Sequence, residues 1–173
     1  MDFAKKHHTP AVREARAEDA TAIAELLTDP IERWWSFPEY APASLQSPAW
    51  ISEHCAQALL CYVADVDKHI VGFVSLSALE GERSGMLQHL MVAPTHRGQD
   101  IATQLVRTAL DSSFSRHGLR EVHVAIVGGN EPAMMLFAEL GFLPYGTREI
   151  NDPAGQPARL VFLRITRGQY RQE

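Results

Sequence analysis

Residues 90–102 read LMVAPTHRGQDIA and carry the strongest structural signal in the chain. They close a β-rich run from Met86 to Val92, and apolar residues at helical spacing follow at Ile101, Leu105 and Leu110. This pattern predicts a strand that passes through a tight loop into a helix. The backbone N–H groups and helix dipole of such a loop can hold a pyrophosphate. An ordinary strand-to-helix turn gives the same pattern, so the loop alone leaves both interpretations open.

Outward from this loop, the periodicity predicts strands and helices along the whole chain. Residues 34–42 are aromatic and Pro-rich, which predicts an irregular loop or a short helix, and Asp29-Pro30 is expected to end the helix before it. The predicted fold class is mixed α/β (α+β), with a mostly antiparallel sheet flanked by helices. The predicted order is a strand at 12–15, helices from 19 and 48, strands at 59–65, 69–78 and 86–92, a helix from 100, a strand at 122–127, a helix at 131–140, and strands at 143–150 and 158–165.

Length and composition predict one folded domain. The chain has 173 residues, of which 46% are hydrophobic and 21% charged, and its net charge is -5. We expect a single domain at residues 11–167, a flexible lead-in at 1–10 and a C-terminal tail at 168–173. The acidic balance argues against a nucleic-acid partner. Without a signal-peptide pattern or an apolar run of roughly 20 residues, we expect a cytoplasmic protein with no membrane partner. No metal site is predicted, because the histidines have no partner ligands at metal spacing.

A second motif supports the interpretation of the loop. Residues 130–142 read NEPAMMLFAELGF. In this order the two segments resemble the GCN5-related N-acetyltransferase (GNAT) family, which has a Q/R-x-x-G-x-G/A loop followed by N-x-x-A-x-x-L-Y-x-x-x-G-F. Arg97 and Ala102 match the loop pattern, whereas Asp100 replaces a Gly and Phe137 replaces the Tyr. The order of predicted elements agrees with the family from Val12 to about Arg164.

The resemblance implies a GNAT-like acyl-CoA N-acyltransferase fold and acetyl-CoA as the co-substrate. The backbone of Leu90 and Val92 would pair with the pantetheine arm where two strands splay apart, and the loop would hold the pyrophosphate. Asn130 would contact the cofactor or serve only as a helix N-cap. The cofactor-binding residues implied in this way are Leu90, Met91, Val92, Arg97, Gly98, Gln99, Asp100, Ile101, Ala102, Asn130, Ala133 and Phe137.

The implied reaction is transfer of an acetyl group to a primary amine of a small molecule or peptide, by direct attack in a ternary complex. A catalytically degenerate acyl-CoA-binding or sensory domain is the alternative, because of Asp100 and Phe137 together. An Asp in the first turn of a helix stabilises it but repels a pyrophosphate. We therefore expect Asp100→Gly to lower the melting temperature and to tighten acetyl-CoA binding.

The candidate catalytic residues are Gln88, Phe137 and Tyr145. Phe137 can pack against the sulfur of acetyl-CoA but cannot protonate the leaving thiolate. Tyr145 is a possible substitute as the proton donor. Alternatively, Tyr145 is a strand residue with its hydroxyl in solvent. If Leu90 has the family's orientation, Gln88 shares its face and could orient water or the amine. His89 would then point to the opposite face. The acceptor's proton would leave through water to an acidic residue (Glu80 or Glu82) or to solvent.

An aromatic cluster predicts the acceptor site. Its members are Trp34, Trp35, Phe37 and Tyr40, which lie between the first helix and the second strand, where the resemblance places the acceptor. Aromatic walls suit a small amine with an apolar body. Core packing is the competing interpretation, at least for one of the two Trp residues. The sequence leaves the oligomeric state open, a homodimer included.

Overall fold

The computed structural model describes residues 10–38, 47–81 and 83–171. Within these ranges, seven strands form one sheet and six helices flank it, which confirms the predicted mixed α/β class. The strands are β1 (Ala11–Glu14), β2 (Leu60–Val66), β3 (His69–Ala78), β4 (Ser84–Val92), β5 (Glu121–Val127), β6 (Leu143–Asn151) and β7 (Pro157–Thr166). The helices are α1 (Ala20–Ala24), α2 (Pro30–Ser36), α3 (Pro48–Gln57), α4 (Ile101–Ser115), α5 (Glu131–Glu139) and α6 (Arg167–Tyr170).

The sheet has a gap between its two central strands. The strand order is β1-β2-β3-β4-β5-β7-β6, and every neighbouring pair is antiparallel except β4 and β5, which are parallel. These two strands pair only over Ser84–Leu87 and Glu121–Val124. Beyond these residues they diverge, as the sequence resemblance implied. The gap leaves the end of β4 and the end of β5 available to line a site.

A β-bulge in β4 changes which side chains share a face. His89 and Leu90 together oppose Val74 of β3, and His89 has a φ of 56°. The extra residue reverses the alternation, so Gln88 and His89 both project toward the face that α3 covers, where His54 of α3 lies 4.8 Å from the His89 ring. Leu90 packs instead into the core beneath α4. The prediction that Gln88 shares the face of Leu90 while His89 points away is therefore wrong.

Two hydrophobic cores hold the sheet, one on each face. Beneath α4 and α5, the core includes Leu105, Leu110 and Phe137. On the opposite face, α1 and α3 pack over a second core that contains Ile23 and Ile51. These two layers fix the helices whose ends reach the gap in the sheet.

The start of α2 differs from the prediction. Asp29-Pro30 does not end the first helix, which already stops at Ala24; it begins α2 instead. The Asp29 carboxylate accepts hydrogen bonds from the N–H groups of Ile31 and Glu32, at 2.8 and 3.1 Å, and the proline occupies the first helical turn.

The C-terminal stretch at residues 168–173, which the sequence analysis expects to be a tail, includes most of the short helix α6. The hydroxyl of Tyr170 donates to the carboxylate of Asp111 at 2.8 Å, which ties α6 to α4. None of the helices in the described ranges has the length and apolar character that a bilayer span requires.

Candidate active site

The loop between β4 and α4 presents backbone rather than side chains. A short 3-10 turn at Pro94–His96 leads to Gly98, with φ of 71°, and to Asp100, with φ of 62°. Asp100 is the N-cap of α4, but its side chain makes no capping hydrogen bond. The expectation that Asp100 lies in the first helical turn is wrong, because it lies just before the helix in a left-handed conformation. The N–H groups of the first turn therefore remain available to an anion.

A lower cleft runs along this loop, with an open volume of about 1030 Å³. The starts of α4 and α5 form one side of the cleft, and Glu32 and Trp35 of α2 form the other. Gln99 is exposed in the loop and does not belong to the lining. The structure brings most of the predicted cofactor residues together along this cleft: Leu90, Met91, Val92, Arg97, Gly98, Asp100, Ile101, Ala102, Asn130 and Ala133.

Arg97 is held across the lower cleft by a carboxylate that the sequence analysis missed. Its guanidinium makes a two-pronged ion pair with Glu32, with 2.9 Å between Nη2 and Oε2. This hydrogen bonding raises the pKa of Arg97 above its usual value, so the group is firmly charged. The contact joins residues that are 65 positions apart, so no local pattern in the sequence predicts it. The one local hint is that Glu32 lies in the first turn of α2.

Asn130 serves as a helix cap and as part of the cleft wall. Its side-chain oxygen accepts a hydrogen bond from the N–H of Ala133 at 3.3 Å, at the start of α5. Asn130 and Ala133 also line both the lower cleft and a second cleft beside it. The two interpretations of Asn130 are therefore compatible.

The second, upper cleft lies in the gap between β4 and β5 and has an open volume of about 790 Å³. It adjoins the lower cleft, since Trp35, Ser36 and Leu90 line both. Side chains from both faces of the sheet line it, and its described lining contains no Asp, Glu, Lys or Arg. The residues that reach it include Trp35, Pro38, Met86, Gln88, Phe137 and Phe162.

Two candidate catalytic residues line the upper cleft. Gln88 does so with its amide oxygen fixed by the Ser77 hydroxyl, which donates to it at 3.0 Å. Phe137 is buried and packs edge-on against Phe142, with 5.0 Å between ring centroids. Phe162, which the sequence analysis missed, lies on the opposite wall.

Of the three described members of the predicted aromatic acceptor wall, only Trp35 is found in the clefts. Trp35 lines both of them, whereas Trp34 lines neither. Phe37 is buried and stacks on the ring of His89 at 4.3 Å, so it belongs to the core, as the competing interpretation expected for part of this cluster. Tyr40 lies outside the described residues.

His89 lines the upper cleft and holds the end of α2 in place. Its Nδ1 donates to the carbonyl oxygen of Ser36 at 2.8 Å, which fixes the end of α2 beside both clefts. Burial lowers the pKa of His89 to about 4, so the ring is neutral at pH 7. The same cause lowers the pKa of His54, whose Nε2 lies 2.9 Å from the Ser75 hydroxyl.

Tyr145 does not line either cleft. It lies on β6 with its hydroxyl 2.8 Å from Nδ1 of His123, and burial raises the pKa of the phenol. This position gives no support to Tyr145 as the proton donor to a leaving thiolate. In the described ranges, the structure brings together no group of three or more His, Cys, Asp and Glu side chains that could hold a metal ion.

The sequence profile of the Acetyltransferase (GNAT) family matches residues 14–142. The chain belongs to this family. Spermidine N(1)-acetyltransferase of Vibrio cholerae serotype O1 is 30% identical over 84 residues, which are 49% of this chain and 49% of that protein. The chain thus spans about half the length of the curated relatives it matches first.

Solved structures show the same fold. An N-acetyltransferase from Staphylococcus aureus Mu50 superposes with a TM-score of 0.77 at 20% identity, over 91% of this chain and 98% of that one. The spermidine N-acetyltransferase of Vibrio cholerae in complex with CoA and spermine gives a TM-score of 0.76 at 24% identity, over 93% and 97%. These likenesses confirm the GNAT fold that the two motifs implied.

The clefts of this GNAT fold fit acetyl-CoA. The α4 N-terminus and the positive-φ loop offer N–H groups without a competing cap, which suits a pyrophosphate. The unpaired edge of β4 beyond Leu87 suits an extended chain that carries amide groups. The apolar wall at Phe137 suits a thioester. A thioester held from one face of the sheet would meet an amine that arrives from the other.

Proposed function

We propose that this chain transfers the acetyl group of acetyl-CoA to a primary amine of a small molecule or peptide, by direct attack in a ternary complex. The gap between β4 and β5 carries this proposal, because the upper cleft there is lined from both faces of the sheet and adjoins the lower cleft, which runs along the anion-binding loop. A binding or sensory domain needs the lower cleft alone. The upper cleft favours an enzyme over that alternative, since it leaves room for a second substrate.

Each part of the co-substrate has a counterpart in the clefts. The loop from Arg97 to Asp100 and the first turn of α4 would hold the pyrophosphate through backbone N–H groups. The edge of β4 at Leu90 and Val92 would pair with the pantetheine amides. When bound, acetyl-CoA supplies a thioester whose carbonyl carbon is the electrophile.

Positioning supplies most of the rate in this proposal. Holding two reactants in attack geometry can contribute roughly 7–11 kcal/mol. Gln88, with its amide fixed by Ser77, would orient water or the attacking amine. Phe137 provides an apolar wall without a proton, which is sufficient because a thiolate with an ordinary thiol pKa of about 8.5 is a good leaving group.

The chemistry of the upper cleft favours an acceptor with an apolar body and one amino group. Its described lining offers aromatic faces at Trp35 and Phe162 and no carboxylate. Aromatic faces attract a single cation, whereas a polycation needs counter-charges to offset its desolvation. Spermidine is therefore the weaker candidate for this chain, although it appears in the name of the relative from Vibrio cholerae.

The same proposal includes the setting of the reaction. A single domain at residues 11–167 carries it, and the net charge of -5 makes a nucleic acid an unsuitable partner. We place the protein in the cytoplasm, where the two free cysteines would remain reduced.

The test is release of free thiol from acetyl-CoA in the presence of single amines. The panel contains apolar monoamines, peptides with a free N-terminus, and spermidine. Sustained turnover with an apolar monoamine supports the proposal, and Trp35→Ala should raise the KM for that amine with little change in acetyl-CoA affinity. Trp34→Ala is the matched control, because Trp34 lines neither cleft. Tight acetyl-CoA binding without turnover on any amine would establish the binding domain instead.

A further inference from the structure

Three ionisable side chains form a hydrogen-bonded chain on the face of the sheet beside the upper cleft. The hydroxyl of Tyr145 on β6 lies 2.8 Å from Nδ1 of His123 on β5. Nε2 of the same ring lies 2.9 Å from the carboxylate of Glu121. We call these three residues the Tyr-His-Glu unit. The acetyl transfer proposed above does not involve this unit.

The chemistry of the three groups fixes the direction of the hydrogen bonds. An ionised carboxylate can only accept, so Nε2 of His123 carries a proton and donates it to Glu121. In the neutral ring Nδ1 is then the acceptor, and the hydroxyl of Tyr145 donates to it. Burial raises the pKa of Tyr145, so the phenol holds its proton at neutral pH. The phenol oxygen keeps lone pairs that can accept a proton from outside.

Arg164 stabilises the far end of the unit. Its guanidinium lies 3.7 Å from the second oxygen of Glu121 and 5.4 Å from the centre of the Tyr145 ring. This positive charge lies beside the carboxylate that accepts the hydrogen bond from His123. Across the ladder from His123 lies Met86 of β4, which has no charge. Glu121, Tyr145 and Arg164 are thus the charged and titratable groups that face His123 among the contacts described.

The unit adjoins the acceptor end of the upper cleft. Met86, the register partner of His123, lines that cleft, and so does Ala125, two residues further along β5 on the same face. Phe162, another lining residue, has its ring centre 6.1 Å from that of Tyr145. The side chain of Tyr145 is about half exposed beside the cleft, so solvent reaches this residue.

We propose that the Tyr-His-Glu unit accepts the proton that the acceptor ammonium must lose before it attacks. The inference rests on the proposed acetyl transfer. An N–H bond of the ammonium breaks and its proton passes through water to the Tyr145 oxygen, while the phenol proton moves to Nδ1 of His123. The resulting imidazolium is stabilised by Glu121. The neutral amine then attacks the thioester.

The proton count closes over the whole reaction. The ammonium and the thioester give an amide, a CoA thiol and one proton. The nitrogen loses its first proton to the unit and its second after the carbon–nitrogen bond has formed. One of these protons ends on the sulfur as the carbon–sulfur bond breaks, and the other reaches solvent from His123. No oxidant, reductant or further reactant is needed.

The test is the pH profile of kcat/KM for His123→Gln and Tyr145→Phe, measured with an amine that the unsubstituted protein acetylates. General-base catalysis contributes about 10²-fold or more, so His123→Gln should lower kcat/KM by about that factor at neutral pH. Tyr145→Phe should cause a smaller loss, because water can still reach His123. Both defects should shrink as the pH approaches the pKa of the amine, since the solution then supplies the neutral form. The Kd of acetyl-CoA should not change.

Matched controls remove the same groups elsewhere. Tyr170→Phe deletes a hydroxyl that bonds Asp111, and His69→Gln replaces an exposed ring near the β2–β3 turn. Neither should affect the profile. A defect that is equal at all pH values, or no defect, would overturn the proton-accepting role while leaving acetyl transfer intact. Absence of turnover by the unsubstituted protein on every amine would overturn the proposed function, and the unit's role with it.

Discussion

Asp100 combines a left-handed backbone conformation with a negative charge, which stabilises the helix but repels a phosphate group. Its φ of 62° is costly for most side chains, and a carboxylate near a helix N-terminus stabilises the helix by about 0.3–1 kcal/mol. These effects oppose each other, so Asp100→Gly should change the free energy of unfolding by less than about 1 kcal/mol instead of lowering the melting temperature as the sequence analysis expects. Removal of the negative charge should tighten acetyl-CoA binding at low salt, which calorimetric titration at two ionic strengths will measure.

Asp67 provides the control for the backbone effect. It also has a positive φ, 51°, but it lies in the β2–β3 turn, away from both clefts. Asp67→Gly should leave acetyl-CoA affinity unchanged at either salt concentration. If Asp100→Gly behaves in the same way, the carboxylate faces away from the phosphates.

Phe137 tests whether thiolate protonation limits the rate. Its ring lines the upper cleft, and Phe137→Tyr adds one hydroxyl where the family carries it. We expect turnover to rise, or its pH profile to change, because the phenol can protonate the leaving sulfur. Steady-state rates across the pH range provide the measurement. An unchanged profile in a folded variant would mean that solvent already protonates the thiolate.

The contact between α2 and the cofactor loop works against phosphate binding. The carboxylate of Glu32 pairs with Arg97 and also faces the lower cleft, so it competes with a pyrophosphate for the same guanidinium. Glu32→Gln should therefore tighten acetyl-CoA several-fold at low salt, as measured by titration. Glu149→Gln is the control, because it removes an exposed pair with Arg159 on the β6–β7 ladder. Weaker binding by Glu32→Gln alone would show that the pair orients Arg97 for the phosphates.

Local patterns in the sequence predict most elements, whereas the site depends on contacts that they cannot show. The predicted helix from residue 48 is confirmed, because its start depends on the Ser47 cap and on Pro48, which act within one turn. The bulge at His89 could not be predicted, since it arises from pairing with Val74 in another strand. For the same reason the sequence missed Glu32 and Phe162, which reach the clefts only through the fold. Local motifs do place the cofactor loop, whose geometry lies within one continuous stretch.

Stability of the whole molecule should fall in mild acid because of His89. Its folded pKa of about 4 lies below the ordinary value of 6.5, so the unfolded chain takes up the proton first. The contribution of the neutral ring is complete above about pH 6.5 and is lost as the pH falls toward 4. This difference between the two pKa values corresponds to about 3 kcal/mol of unfolding free energy. Urea unfolding at pH 7 and pH 5 should show the larger part of this loss, about 2 kcal/mol, and His89→Gln should flatten it.

His117→Gln is the matched control for the acid effect. His117 is exposed just after α4, so replacing it should leave the pH dependence of the unfolding free energy unchanged. A His89→Gln variant with the same pH dependence as the unsubstituted protein would place the acid sensitivity elsewhere.

Because of the gap between β4 and β5, we expect a bound ligand to stabilise the association of the two parts of the sheet. Only four residue pairs join the antiparallel strands β1 to β4 to the group formed by β5, β7 and β6. In deuterated water, the amide hydrogens along this seam should exchange early, as in other locally weak regions. Saturation with acetyl-CoA should slow exchange at residues 88–92 and leave the β1–β2 ladder unaffected. The opening proposed to admit the thioester would thus be the place where a small molecule joins two halves of one protein.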